Sequence, residues 1–280
     1  MESLVSTRWL AEQLGARDLR VIDASAFLPN SGRDGAAEYE AEHIPGAVFL
    51  DLDAAVDPSN PLPHSFPPAH VFASKMRALG IGDGDRIVVY DNSPLHSAAR
   101  AWWMLRAFGA RRVAVLDGGL ETWKAEGRPL ASERPARGHG HFTLVAVEGA
   151  VVDKEFMLGV VGSSNVEIVD ARPGARFRGE NAEPRAGLAA GHIPGSRSLS
   201  QSALFEADGT WKRGEALRAA FQAAGVDLSR PLVATCGSGV TACVLLLGAH
   251  LLGKEDMTLY DGSWSEWGGD PDTPKATGAA

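Results

Sequence analysis

The two cysteines are the side chains of this sequence best suited to covalent chemistry. They are Cys236 and Cys243, seven positions apart in a chain of 280 residues. Neither cysteine has a second cysteine or a histidine at the short spacings typical of zinc ligands, and one pair at this spacing does not make a disulfide framework. Because a cysteine thiolate is a strong nucleophile, the pattern indicates that one of the two is a working thiol.

Cys236 lies where the sequence predicts a turn from a strand into a helix. It follows the buried-type strand 232–235, and an apolar helix is predicted soon after it. The residues between them are Gly237, Ser238, Gly239, Val240 and Thr241. Glycines allow the backbone N–H groups to curl inward, and a helix N-terminus adds positive potential. We therefore expect this loop to stabilise an anion on the sulfur of Cys236, whereas Cys243 is predicted to be a buried apolar side chain.

An internal repeat indicates which elements position this loop. Four segments of the first half return in the same order in the second half, at offsets between 144 and 149. The matched segments are Leu19–Ser25 with Val166–Arg172, Glu42–Ala47 with Gly191–Ser196, Ile87–Asp91 with Leu232–Cys236, and Leu116–Gly119 with Tyr260–Ser263. Asp91 therefore occupies the position of Cys236 in the first copy.

Each copy alternates β-branched runs with helical patterns, which predicts an α/β fold with a mainly parallel sheet flanked by helices. In the second copy we predict strands at 167–170, 232–235 and 257–260, and helices at 153–158, 215–224 and 239–252. We predict two domains, 1–135 and 146–280, joined by a surface linker at 136–145 that is rich in glycine and histidine. The tail after Gly268 is expected to be frayed.

Charge and hydropathy exclude several classes of function. The net charge of −8 argues against broad binding to nucleic acid or to an anionic membrane. The N-terminus lacks the basic and apolar regions of a secretory signal, so the cytoplasm is the expected compartment. The richest apolar run, Val244–Leu252, is too short to span a bilayer.

The loop 236–241, the two His-Ile-Pro-Gly segments and the Asp-Gly segment after the last strand together resemble the rhodanese superfamily. The resemblance covers nearly the whole chain and implies two tandem domains, with a persulfide on Cys236 and a silent first copy. Phosphatases on a similar fold are the alternative. They need an arginine six positions after the cysteine to hold a phosphoryl group, and Ala242 stands there.

The resemblance also implies the sulfur donor. Family members that use thiosulfate, a dianion, carry cationic residues directly after the cysteine, whereas Gly237 and Ser238 resemble members that use 3-mercaptopyruvate. We therefore expect 3-mercaptopyruvate as donor, with thiosulfate as the alternative. Arg176 and Arg185 match the family's carboxylate binders, and guanidinium groups suit that task. The other interpretation of this arginine-rich stretch is a solvated loop.

A proposed Ser–His–Asp relay of the family falls on Ser238, His64 and Asp53, with His64 and Asp53 supplied by the first domain. A histidine can move a proton at neutral pH, and an aspartate can orient it. The other interpretation is an exposed histidine and a turn aspartate.

Further expectations follow from the resemblance. Gly237, Gly239, Val240 and Thr241 would contact the donor. No metal or organic cofactor is implied, and the acceptor would be a thiol, such as thioredoxin or a small thiol, or cyanide. A binding module without catalysis is the rival function, and the presence of Cys236 in an intact loop argues against it.

Overall fold

The computed structural model describes residues 1–136 and 138–279. Arg137, in the predicted linker, and Ala280, at the end of the predicted second domain, lie outside the described residues. The chain divides into two compact units. Of the described residues, the first contains 1–59, 66–136, 138–147 and 208–210, and the second contains 60–65, 148–207 and 211–279.

The described residues of the first unit form a five-stranded sheet whose neighbouring strands are all parallel. The strands are β1 Leu4–Val5, β2 Leu19–Asp23, β3 Ala47–Phe49, β4 Arg86–Tyr90 and β5 Val113–Leu116, in the order β1-β5-β4-β2-β3. The helices are α1 Thr7–Gln13, α2 Gly35–Ala41, α3 Ala69–Ala78, α4 Ala98–Ala107 and α5 Gly119–Ala125.

The second unit repeats this arrangement within its described residues. Its strands are β6 Val151–Val152, β7 Glu167–Asp170, β8 Arg197–Ser198, β9 Leu232–Thr235 and β10 Met257–Tyr260, in the order β6-β10-β9-β7-β8. Its helices are α6 Lys154–Val160, α7 Gly174–Phe177, α8 Gly214–Ala223, α9 Ala242–Leu251 and α10 Ser263–Trp267, with a 3-10 helix at Gln201–Leu204.

The identical strand order confirms the prediction of two tandem α/β domains built on parallel sheets. Central strands such as β4 and β9 are buried and rich in Val, Ile, Leu and Ala, as a parallel sheet covered on both faces requires. The three strands predicted for the second copy have the predicted bounds. Among the described residues, no helix combines the length and the apolar character that crossing a bilayer requires.

The histidine of each repeated His-Ile-Pro-Gly segment is a structural anchor. His43 stacks on Tyr39 with ring centroids 4.1 Å apart and donates from Nδ1 to the Tyr39 carbonyl oxygen. His192 stacks on Phe177 at 3.7 Å and donates from Nδ1 to the Phe177 carbonyl oxygen. Because both rings are buried and bonded to backbone in the same way, the repeat preserves packing at this position.

Two segments differ from their predicted character. Within the predicted linker, Phe142 is buried and Gly140 donates its N–H to the carbonyl of Arg77, so this segment packs on the first unit. The prediction of a frayed tail was wrong. Ala276 forms two backbone hydrogen bonds with His192, and the indole N–H of Trp267 donates to the Pro274 carbonyl. These bonds attach the tail to the core of the second unit.

Candidate active site

Cys236 is the first residue after β9 and is only 2 % exposed. The loop 236–241 then leads into α9, and Gly239 has a φ of +77°, a left-handed conformation that favours glycine. Helix α9 has an almost entirely buried, apolar surface, so the sheet and the core hold its N-terminus firmly against the loop. The predicted strand-to-helix turn at the thiol is confirmed.

Cys243 lies inside α9 and is fully buried. Its Sγ–H donates to the carbonyl oxygen of Gly239 at 3.3 Å. A buried thiol in the first turn of a helix, with a weak hydrogen bond to the preceding loop, is a small apolar side chain, which agrees with the prediction for this cysteine.

His64 and Ser238 meet within the second unit, although 174 positions separate them in the sequence. The Nδ1 atom of His64 lies 2.8 Å from Ser238 Oγ. His64 has a φ of +57°, which few residues other than glycine adopt. Since a left-handed histidine marks a constrained backbone, the contact is held by the local conformation of residues 60–65 as well as by the hydrogen bond.

Asp53 belongs to the first unit, where it follows β3. It is exposed, and its backbone N–H donates to the carboxylate of Asp51 at 2.9 Å. The sequence assigned both Asp53 and His64 to the first domain, but the contacts of residues 60–65 place His64 with the second unit. The orientation of His64 by Asp53 stays a prediction.

Part of the arginine-rich stretch after β7 is a buried charge network centred on Arg172 rather than a solvated loop. Arg172 is 1 % exposed, and its guanidinium donates to the carboxylates of Asp170 and Glu183, in each case at 2.7 Å. Its cationic centre also lies 4.4 Å from the ring centre of Trp264. Burial lowers the pKa of Arg172, but the neighbouring carboxylates outweigh burial and raise it above its ordinary value.

Glu183 links this buried network to the loop. Its side chain is 2 % exposed and accepts hydrogen bonds from both Arg172 and Arg176. An ideal Cβ placed on Gly237 would lie 3.3 Å from Arg176 Nη2 and 4.0 Å from Arg185 Nη1. The two predicted carboxylate binders are therefore brought together beside the residue that follows Cys236.

Sequence reasoning missed Glu183 and Arg172 as supports for the predicted binders. Asp170 ends β7, so its carboxylate is buried and needs a partner. The signal was an arginine two positions later and a glutamate between the two predicted binders. Such alternation of charge indicates paired rather than solvated side chains.

In the first unit, the loop that corresponds to 236–241 binds the carboxylate of Asp91, the residue at the position of Cys236. Asp91 is buried at the end of β4 and accepts backbone N–H groups from Ala98 at 2.7 Å and Ser93 at 3.1 Å. In this copy one aspartate oxygen thus accepts the N–H at the start of α4, and the other accepts an N–H of the preceding loop. Desolvation raises the pKa of Asp91 to about 6, although the two amide bonds oppose the shift.

Known proteins share the sequence pattern of both units of this chain. A family model described as a rhodanese-like domain matches residues 6–126 and 156–270. The 3-mercaptopyruvate sulfurtransferase of Homo sapiens is 44% identical over 271 residues, which cover 95% of this chain and 91% of that protein. A thiosulfate sulfurtransferase of Cricetulus griseus is 42% identical over 272 residues, with the same coverage of 95% and 91%.

A solved structure has the same fold. The crystal structure of SseA from Escherichia coli, described as that of a 3-mercaptopyruvate sulfotransferase, superposes with a TM-score of 0.86. It is 39% identical in sequence, and the match covers 95% of this chain and 100% of that one.

The raised pKa of Asp91 predicts a pH dependence of stability. Between about pH 4 and pH 6 the folded protein binds a proton at Asp91 that the unfolded chain has lost. The contribution of Asp91 to the free energy of unfolding should therefore fall as pH rises through this window. In Asp91→Asn, which cannot ionise, we expect the fall to be smaller by about 1–3 kcal/mol, measured by urea unfolding at several pH values.

Asp34→Asn is the matched control. The Asp34 carboxylate also accepts two backbone N–H groups, at the start of α2, but it is exposed to water. Asp34→Asn removes a carboxylate that water already hydrates, so the fall attributed to Asp91 should persist in this variant. An Asp91→Asn curve parallel to the wild-type curve would contradict the assignment.

Proposed function

The chain belongs to the rhodanese family, and we propose that it transfers sulfur from 3-mercaptopyruvate, through a persulfide on Cys236, to a thiol or cyanide acceptor. The observation that carries this proposal is the placement of two guanidinium groups beside the cysteine loop, at Arg176 and Arg185. A nucleophilic sulfur and a pair of carboxylate binders side by side suit a small thiol-bearing carboxylic acid.

The geometry supports a specific role for the arginines. A guanidinium can pair with a carboxylate through two parallel hydrogen bonds, which fixes direction as well as distance. Glu183 restrains Arg176 through its own ion pair and is in turn held by the buried Arg172. The donor carboxylate and keto oxygen would bind to Arg176 and Arg185, which leaves the donor sulfur to face Cys236.

The loop residues favour 3-mercaptopyruvate over thiosulfate. Relatives of similar identity carry the names of both activities, so overall identity does not distinguish the donors. Gly237 has no side chain, and this absence leaves the space in front of Arg176 and Arg185 open for a carboxylate. Ser238 is neutral and contacts His64. A thiosulfate dianion would lack the added cationic side chains that we expect it to need in this loop.

The first step is an attack of the Cys236 thiolate on the sulfur of 3-mercaptopyruvate. A sulfur–sulfur bond forms and the carbon–sulfur bond breaks, so that pyruvate leaves as its enolate. The electron pair of the broken bond stays on carbon, and the enolate takes up one proton, which replaces the proton lost from the donor thiol. The product on the enzyme is a persulfide anion, held by the N–H groups of the loop and the N-terminus of α9.

His64 and Ser238 supply a path for that proton. The hydrogen bond between them allows the hydroxyl to pass a proton while the imidazole accepts or returns one. Asp53 would orient His64 in this scheme. In the second step an acceptor, such as thioredoxin, a small thiol or cyanide, attacks the outer sulfur and restores the Cys236 thiolate. Gly239, Val240 and Thr241 would shape the space around the sulfur.

Mixing the protein with 3-mercaptopyruvate should add the mass of one sulfur atom to the peptide that contains Cys236. Mass spectrometry would detect this product, which should be absent in Cys236→Ser and present in Cys243→Ser. The specificity constant should be higher for 3-mercaptopyruvate than for thiosulfate, and the reverse order would overturn the donor. An unmodified wild-type protein would instead favour a non-catalytic binding module.

Replacing Arg176 should weaken donor binding. In Arg176→Lys the positive charge and the pairing with Glu183 can persist, but the two parallel hydrogen bonds to a carboxylate are lost. We expect the KM for 3-mercaptopyruvate to rise about tenfold or more. Arg178→Lys is the control, because Arg178 is exposed and pairs with Glu180. Equal KM values in the two variants would remove Arg176 from the donor site.

Replacing His64 should slow proton transfer without unfolding the loop. His64→Asn is the informative variant, because asparagine tolerates the left-handed conformation that residue 64 adopts. We expect kcat to fall about 100-fold while Cys236 remains reactive towards iodoacetamide. An asparagine replacement of the exposed His70 is the control. A kcat equal to that of the wild type would exclude a proton-transfer role for His64.

A further inference from the structure

The start of α10 donates hydrogen bonds to carbonyl groups of the cysteine loop. The N–H of Trp264 donates to the carbonyl oxygen of Cys236 at 2.9 Å. The N–H of Ser265 donates to the carbonyl oxygen of Gly237 at 2.9 Å, and the Ser265 hydroxyl donates to the same oxygen at 2.6 Å. Two successive carbonyl groups of the loop are thus bonded to one segment.

These bonds determine which way the loop N–H groups point. In a planar trans peptide the C=O and the following N–H point in opposite directions. Since the carbonyls of Cys236 and Gly237 point at α10, the N–H groups of Gly237 and Ser238 point to the opposite side of the chain. These are the two N–H groups that directly follow the sulfur-bearing residue, so the α10 segment orients donors that an anion on Cys236 needs.

Ser263 adds a fourth bond at the cost of backbone strain. Its φ is +50°, in the left-handed region that side chains disfavour, and it is fully buried. Its hydroxyl donates to the Tyr260 carbonyl oxygen at 2.9 Å and accepts the N–H of Cys236 at 3.2 Å. A strained residue persists where its surroundings determine its conformation, and such residues concentrate at functional sites.

The copy without a cysteine lacks both hydroxyls. There the N–H of Leu120 donates to the carbonyl oxygen of Asp91 at 3.0 Å, as Trp264 does to Cys236. The positions that match Ser263 and Ser265 are Gly119 and Glu121. A Cβ on Gly119 would lie 2.5 Å from the Asp91 carbonyl oxygen, so a serine would not fit without a shift. The hydroxyl bonds therefore accompany the catalytic cysteine.

We propose that Ser263 and Ser265 are positioning residues for sulfur transfer, which orient the amide donors of the Cys236 loop by fixing its backbone from the outside. We call this pair the serine clamp. The proposal rests on the proposed persulfide chemistry, but it concerns residues that do not contact the donor. The serine clamp sets the direction of the N–H groups before the donor arrives, so the charged sulfur requires no rearrangement of the loop.

The first test is Ser265→Ala, which removes the 2.6 Å hydroxyl bond and leaves the backbone bond of residue 265 in place. In single-turnover experiments the rate of persulfide formation should fall about 2- to 10-fold, the range expected for one lost hydrogen bond. The KM for 3-mercaptopyruvate should be unchanged, because Arg176 and Arg185 are untouched. Ser265→Thr, which retains the hydroxyl, should restore the rate.

The matched control is Ser196→Ala. Ser196 is also a buried serine of the second unit, and its hydroxyl donates to the Ile193 carbonyl oxygen at 2.6 Å. The Ser196→Ala variant should lose thermal stability, as Ser265→Ala does. Its rate of persulfide formation should equal that of the wild type. Equal rates in these two variants would overturn the serine clamp.

A second variant separates reactivity from stability. Ser263→Gly suits the left-handed backbone at residue 263 and removes the hydroxyl together with its Cβ. We expect its thermal stability to be close to that of the wild type, with slower persulfide formation. A wild-type rate in Ser263→Gly would exclude Ser263 from the serine clamp.

Alkylation of Cys236 by iodoacetamide distinguishes failure of the serine clamp from failure of the proposed function, because it needs no sulfur donor. The rate constant at neutral pH, measured on the Cys236 peptide, should fall in Ser265→Ala and not in Ser196→Ala. If wild-type protein forms no persulfide but the alkylation rates still differ, the proposed function fails and the serine clamp stands. If persulfide forms and the alkylation rates agree, the serine clamp fails alone.

Discussion

A negative charge on a buried sulfur atom is the constraint on which the active unit depends. Cys236 is nearly inaccessible to water, so a thiolate or persulfide there loses its hydration and needs donors from the protein. A loop of six residues before α9 can supply several N–H groups, provided that its carbonyls have partners elsewhere. The rest of the second unit meets that condition. β9 holds the cysteine, α9 supplies its N-terminus, and α10 takes up the loop carbonyls.

The two copies satisfy the same constraint in different ways. In the first unit the carboxylate of Asp91 accepts the N–H of Ala98 at the start of α4 and that of Ser93 in the loop, so the protein itself supplies the anion there. In the second unit Cys236 has no carboxylate, so a thiolate or persulfide sulfur is the anion that we expect at this place. A duplicated loop can thus retain its fold in both copies, because the backbone demands an anion or an equivalent partner at this place in each.

A chain of ion pairs connects the buried interior of the second unit to the arginines beside the loop. Arg172 is buried between Asp170 and Glu183 and never reaches the loop, yet it holds Glu183, and Glu183 holds Arg176. A buried ion pair is costly unless every partner is satisfied, and here the chain of alternating charges ends at two guanidinium groups beside Gly237. The position of Arg176 is therefore set by Glu183 and, through it, by the buried Arg172.

The sequence by itself determined the repeat, the parallel α/β fold, the bounds of the central strands and the loop that carries Cys236, because these depend on local periodicity and on residues adjacent in the chain. Alignment of the two copies already shows that Gly119 in the first corresponds to Ser263 in the second, but it does not show which groups the serine contacts. Only the tertiary structure decided that Ser263 and Ser265, 27 and 28 positions after their loop partners, bond the loop. It also decided that His64 reaches Ser238. Hydrogen bonds between residues this distant require the folded sheet to bring them together, and no short pattern encodes their direction.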